Sequence, residues 1–144
     1  MHLSKIKLEE KDYDIALDIW ERSVLETHEF LKESDRLELK KEIPTYFKYV
    51  EAYLWYDDVE VIGFSGTNEQ NLEMLFIDPK YFNKGYGTKI VQWLIKENKV
   101  QYVDVNKDND NAIKFYKKNG FIKYDESQKD GQGRDYPILH MKLV

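Results

Sequence analysis

The stretch from Lys80 to Lys89, Lys-Tyr-Phe-Asn-Lys-Gly-Tyr-Gly-Thr-Lys, is the part of this chain whose residue types best suit an anion. It follows an apolar run closed by Asp78-Pro79 and leads into a helical pattern. Glycines at 85 and 87 let the backbone come close to a ligand. The N–H groups of a first helical turn have no carbonyl partner within the helix, and the positive end of the helix dipole lies beside them. A phosphate or pyrophosphate fits such a terminus, and Lys80, Lys84 and Lys89 add local positive charge. The same residues also suit a plain glycine-containing turn that merely starts a helix. On spacing alone both readings stand.

Other chemistry is easier to exclude. A dinucleotide fingerprint needs a third glycine where Ile90 stands, and no Gly-Lys-Ser/Thr occurs to make a P-loop. Asp104-Val105-Asn106-Lys107-Asp108 resembles the opening of a calcium loop. Asn109 holds its obligatory glycine position, however, and Phe115 its closing glutamate position. Gly63-Phe64-Ser65-Gly66-Thr67 lacks the second glycine of a nucleophile elbow, and Ser65 sits inside a strand-like run. His2, His28 and His140 have no metal-ligand spacing, and the chain has no cysteine, so no metal site is expected.

The elements that must position these residues follow from periodicity. Leu3 to Leu8 reads as a strand. Tyr13, Ala16, Leu17, Trp20 and Val24 share one helical face. Ser34 or Asp35 is expected to cap a second helix carrying Leu39, Ile43 and Phe47, with a break or kink at Pro44. Strand-like runs cover Ala52 to Tyr56, Val59 to Thr67 and Leu72 to Ile77, joined by short polar turns that favour hairpins. A helix over Gly85 to Glu97 presents Ile90, Val91, Leu94 and Ile95. A strand over Val100 to Val105 and a helix over Asp108 to Asn119, with Ala112, Phe115 and Tyr116 on one face, come next. Phe121 to Tyr124 and Ile138 to Leu143 read as the last strands, with a polar, mobile loop over Glu126 to Asp135. The order predicts an α+β or mixed α/β domain with a mostly antiparallel sheet.

At 144 residues the chain suits one domain spanning residues 1–144. With 42% hydrophobic residues it can bury a core, and its net charge of −5 argues against non-specific nucleic-acid binding. No apolar run approaches the roughly 18 residues of a membrane span, and Met1 to Glu10 lacks the apolar core of a signal peptide. Together with the lack of cysteine these features lead us to expect a cytoplasmic protein.

Two segments then carry a family resemblance. Leu75-Phe76-Ile77-Asp78-Pro79-Lys80-Tyr81-Phe82-Asn83-Lys84-Gly85-Tyr86-Gly87-Thr88 resembles motif A of the GNAT superfamily of acyl-CoA-dependent N-acyltransferases: strand, Asp-Pro turn, then Arg/Gln-x-x-Gly-x-Gly/Ala opening a helix. Asn109 to Phe121, with Ala112, Phe115, Tyr116 and Gly120 in register, resembles motif B. Trp20-Glu21-Arg22-Ser23-Val24 with Thr27-His28-Glu29-Phe30-Leu31 is similar to a bacterial subgroup, the YjaB-like acetyltransferases. One departure stands out: Phe82 occupies the place of the motif's arginine or glutamine, so one polar contact to a pyrophosphate is missing.

The resemblance implies a GNAT-like fold, a twisted sheet of about seven strands with about four helices and with strands four and five splayed. It implies acetyl-CoA as co-substrate, held by Asn83, Lys84, Gly85, Tyr86, Gly87 and Thr88 at the pyrophosphate, by Leu75, Phe76 and Ile77 along the pantetheine arm, and by Asn109 near the thioester. It implies direct attack by a primary amine in a ternary complex, with Tyr116 as general acid and Glu73, Asp104 or a water chain taking the amine's proton. The acceptor pocket is expected from Trp20, His28, Phe30 and Tyr136. The acceptor's identity and the oligomeric state are not implied. A non-catalytic acyl-CoA sensor of the same fold is the alternative reading.

Overall fold

The computed structural model describes residues 1–144 and contains β1 (Leu3–Lys7), α1 (Tyr13–Thr27), α2 (Glu33–Phe47), β2 (Glu51–Asp57), β3 (Glu60–Asn68), β4 (Asn71–Ile77), α3 (Tyr86–Glu97), β5 (Tyr102–Asn106), α4 (Asp110–Lys118), β6 (Phe121–Ser127) and β7 (Ile138–Leu143). Short 3-10 turns occupy Glu10–Asp12 and Pro79–Tyr81. This is the expected mixed α/β class, with strand order β1-β2-β3-β4-β5-β7-β6. None of the helices is long and apolar enough to cross a membrane. The chain divides into two compact units, Met1–Asn68 with Glu73–Gly87, and Glu69–Leu72 with Thr88–Val144.

In the first unit β1, β2 and β3 pair antiparallel, and Asp58 makes the β2–β3 turn with a φ of 52°. An aspartate tolerates that left-handed conformation better than most residues. The stripe of α1 buries Ala16, Ile19, Trp20 and Val24 against Ile43 and Phe47 of α2 and against Leu54 and Phe64 of the strands. Burying one such large side chain contributes about 1.5–3 kcal/mol. That burial explains why α2 runs unbroken through Pro44, against the break expected there. Proline gives up one backbone hydrogen bond, but the helix must carry Ile43 and Phe47, on either side of it, into one core. The expected caps Ser34 and Asp35 lie within the first turn instead, and Lys32 precedes the helix without a side-chain cap. Ser65 is fully buried and accepts the Trp55 indole N–H at 2.9 Å, a structural use consistent with the missing nucleophile elbow. Gly63 is held to glycine because an added Cβ would collide with the Phe76 carbonyl and Ile77 of β4.

In the second unit the parallel ladder of β4 with β5 is two pairs long, Asn71 with Tyr102 and Leu72 with Val103. Most of β4 therefore lies outside that ladder, which is the splay expected of strands four and five. β7 lies antiparallel between β5 and β6. Ile90, Val91 and Leu94 of α3 are completely buried, and along β5 Val103 and Val105 are buried while Tyr102 and Asp104 face outward. Gly120, with a φ of 96°, follows the end of α4 at Lys118, one residue short of the expected end. β6 extends to Ser127, three residues beyond the expected end, because Glu126 and Ser127 pair with Leu139 and Ile138. The following loop is a tied turn: Asp130 Oδ1 accepts the amides of Gln132 at 3.0 Å and Arg134 at 2.8 Å.

Candidate functional site

The anion loop is built from a buried aspartate. Asp78 donates its amide to the Ile62 carbonyl at 2.8 Å. Its carboxylate accepts the Arg22 guanidinium at 2.7 Å and the Lys80 amide at 3.3 Å. Pro79 then opens a single 3-10 turn, which ends the extended run of β4 and lifts the chain into residues 82–85. Asn83 and Gly85 both adopt positive φ, 60° and 87°. Such alternation turns successive N–H groups toward one side, the geometry of an anion-binding concavity. The amides of Asn83, Lys84 and Gly85 have no backbone carbonyl partner, and all three residues are exposed. An added Cβ at Gly85 would meet nothing within 4 Å. Tyr86, Gly87 and Thr88 follow as the first, half-buried turn of α3. These features fit a pyrophosphate.

Two tyrosines tether this loop. The Tyr86 hydroxyl donates to Asp57 Oδ2 at 2.5 Å and the Tyr81 hydroxyl to Glu60 at 2.9 Å, with the two rings edge-to-face at 5.8 Å. The bond to Asp57 pushes the Tyr86 phenol up to about 12 and holds the Asp57 carboxyl below its ordinary value. Lys80 and Lys84 place their ammonium groups 5.3 and 5.9 Å from the Tyr81 ring centre, so both charges stay beside the loop. Phe82, which stands where the motif carries arginine or glutamine, is half-buried.

Along β4, Leu75, Phe76 and Ile77 are half-buried, and Phe76 stacks on Phe64 at 5.4 Å. Glu73, on the same strand, is exposed.

In the second unit Asn109 caps α4: its side-chain oxygen accepts the Ala112 amide at 3.2 Å. That cap fixes the helix whose one buried residue is Tyr116, 8% exposed and packed edge-on between Phe115 at 5.0 Å and Phe121 at 5.7 Å. Burial pushes its phenol well above the ordinary tyrosine value, so it holds its proton throughout the neutral range. Asp104 is not a solitary carboxylate. It accepts from His140 Nδ1 at 2.6 Å, and His140 Nε2 lies 2.6 Å from Ser127 Oγ. A carboxylate only accepts, so Nδ1 carries a proton, and in the neutral ring Nε2 then accepts from the serine hydroxyl.

The four residues named for the acceptor pocket are placed differently. Trp20 belongs to the core of the first unit. His28 lines a cavity of about 290 Å³ with Glu29, Leu31, Glu33 and Arg36, and its ring lies 5.1 Å from that of Phe30. Burial lowers its pKa to about 4. Tyr136 lies in the second unit, half-buried at the end of the loop before β7. Arg36 in that cavity pairs with Glu21 at 2.5 Å, a carboxylate that Lys40 shares at 2.9 Å, and approaches Glu33 at 3.7 Å.

Sequence reasoning did not find Arg22, the tyrosine tethers or the Asp104–His140–Ser127 chain. Arg22 and Asp78 are too far apart in sequence for any local signal. The shared polar face of β5 and β7, visible in the alternation of Val103-Asp104-Val105 and Leu139-His140-Met141, was the available hint for the other.

Comparison with known proteins adds identity to this geometry. A model of the Acetyltransferase (GNAT) family matches residues 13–121. The peptidyl-lysine N-acetyltransferase YjaB of Salmonella typhimurium is 35% identical over 126 residues, 85% of this chain and 86% of that protein. YjaB of Escherichia coli is 34% identical over 129 residues, 88% of this chain and 86% of that one. The solution structure of apo-form YjaB from Escherichia coli aligns with a TM-score of 0.91 at 29% identity, over 100% of this chain and 99% of that chain. The PaiA N-acetyltransferase of Thermoplasma acidophilum, solved in complex with coenzyme A, shares the fold at a TM-score of 0.70 and 19% identity, over 99% and 100% of the two chains.

Proposed function

This chain belongs to the acetyltransferase (GNAT) family, and we propose that it transfers the acetyl group of acetyl-CoA to the side-chain amine of a lysine in a peptide or protein. The observation that carries the reading is the open amide cradle of residues 83–85 behind Asp78-Pro79. The lysine acceptor rests on the likeness to the two YjaB proteins.

Acetyl-CoA supplies an acyl thioester, and each group of residues here has a task toward it. The amides of Asn83 to Gly85 and of Tyr86, Gly87 and Thr88 hold the pyrophosphate, with Lys80 and Lys84 adding charge. The backbone of Leu75 to Ile77 orients the arm, and Asn109, whose oxygen caps α4, keeps its side-chain N–H group for the cofactor near the thioester. Tyr116 stores a proton for the departing sulfur. Glu73, Asp104 or a water chain takes the proton of the attacking amine. Glu29 beside His28 suits a cationic side chain, in keeping with the chain's net charge of −5, while Glu33 of the same cavity lies near Arg36.

Thermal unfolding with acetyl-CoA, and with NAD as a phosphate-bearing control, tests the cofactor. A ligand at 100 times its Kd stabilises by about 2.7 kcal/mol, or roughly 2–8 °C. Thiol release with lysine peptides then tests the transfer. A shift with acetyl-CoA alone and peptide-dependent thiol release support the proposal. No shift at millimolar acetyl-CoA overturns it, and a shift without release across a peptide panel leaves the sensor reading. Phe82 sharpens this contrast. Phe82→Arg restores a charged donor, and one charge-assisted hydrogen bond of about 1.5 kcal/mol corresponds to roughly tenfold tighter binding. Calorimetric titration with CoA reads that change directly, and an unchanged Kd would mean that residue 82 does not face the pyrophosphate.

A further inference from the structure

We propose that Ser127, His140 and Asp104 form a second, nucleophilic site in which Ser127 takes the acyl group of an activated aryl ester or a thioester. Three strands bring them together. Asp104 of β5 and His140 of β7 are direct cross-strand partners, and Ser127 lies two residues beyond Asp125, which opposes His140 from β6. A register shift between Lys123 and Asp125 sets that alignment. Carboxylate to imidazole and imidazole to hydroxyl both measure 2.6 Å, in one chain of hydrogen bonds. Asp104 fixes the ring proton on Nδ1, which leaves Nε2 to receive the proton of Ser127, the arrangement that activates a serine.

The chain of bonds is open to solvent. The side chains of His140 and Asp104 are 23% and 63% exposed. A polar network whose only task was to satisfy a core would not leave its carboxylate in water. The Tyr124 ring lies 6.3 Å from His140, and Tyr102 lies 6.1 Å from Tyr124, so an aromatic wall stands beside the pair. That wall suits a planar leaving group. Amine acetylation as proposed above makes no use of Ser127.

In the acylation step a bond forms between Ser127 Oγ and the acyl carbon while the bond to the aryl oxygen or thioester sulfur breaks. The serine proton passes to His140 Nε2 and from there to the departing phenolate or thiolate, and Asp104 accepts from the imidazolium in between. Water then repeats the step on acyl-Ser127, which releases the acid and restores the hydroxyl. The net reaction is ester hydrolysis and needs no acetyl-CoA.

p-Nitrophenyl acetate tests this site apart from the acetyltransferase reading. Wild-type protein is expected to release p-nitrophenol about 100-fold faster than Ser127→Ala or His140→Gln, within the range general-base assistance gives. Peptide mass analysis of the quenched reaction should place one acetyl group on Ser127. Comparable release by both variants, or acetyl groups on lysines alone, overturns the proposal. Should a variant lose its thermal transition, a phosphonofluoridate on the wild-type protein decides: labelling of Ser127 supports the site, and an unlabelled Ser127 overturns it.

Discussion

Tyr116→Phe lowers the rate of peptide acetylation by about 10²–10⁴-fold, the usual contribution of a positioned proton donor, and leaves the thermal shift produced by acetyl-CoA unchanged. The two halves of this expectation come from different features of the site. The ring packs between Phe115 and Phe121, and phenylalanine keeps that packing. The hydroxyl has no hydrogen-bond partner in the protein to lose, so removing it costs no internal bond. What disappears is a proton that burial keeps on the phenol at every pH in the working range. Thiol release at saturating acetyl-CoA, beside unfolding curves with and without acetyl-CoA, measures both quantities. A variant rate within threefold of wild type would remove Tyr116 from the chemistry. A lost thermal shift would make it a binding residue instead.

The sequence disclosed those parts of this protein whose physics is local. Proline after Asp78 ends a strand wherever it stands, Gly85 and Gly87 open the start of α3, and Gly120 closes α4; each acts within a few residues. The apolar stripes of α1 and α3 were legible because a helix repeats its faces every three or four positions. The failures lie where distant segments decide. Pro44 obeys a local rule that burial of Ile43 and Phe47 overrides. β6 has no clean alternation from Lys123 to Ser127, and its length becomes visible only once β7 is known to lie beside it. Asp104, Ser127 and His140 join because β7 returns between β5 and β6, an insertion that no spacing in the chain records. Trp20 and His28 illustrate the same limit within one helix and its end: both are aromatic residues beside an apolar face, and only packing assigns one to the core and the other to a cavity wall.

His28 makes the stability of this protein fall with acid in a definite window. Its ring is held where burial disfavours the charged form, and its pKa drops from about 6.5 to about 4. Thr27 donates its hydroxyl to the Ser23 carbonyl at 2.8 Å, so the contact at 2.6 Å between that hydroxyl and Nδ1 is one in which the neutral ring donates. Neither contact needs a second proton on the ring, and burial opposes one. The unfolded chain takes up that proton as pH falls through about 6.5, while the folded chain resists until about 4. Between those values the unfolded state binds more protons, and stability declines by up to about 3 kcal/mol; above and below the window His28 contributes no further slope. Urea denaturation at pH 7 and pH 4.5, which span most of that window, should therefore show a loss in wild type that shrinks by about 2 kcal/mol in His28→Gln, a side chain with no proton to gain. Parallel losses in the two proteins would move the acid sensitivity away from His28. A shrunken loss would show that the cavity wall beside Glu29 carries a neutral imidazole at neutral pH, which adds no positive charge to that of Arg36 in the same wall.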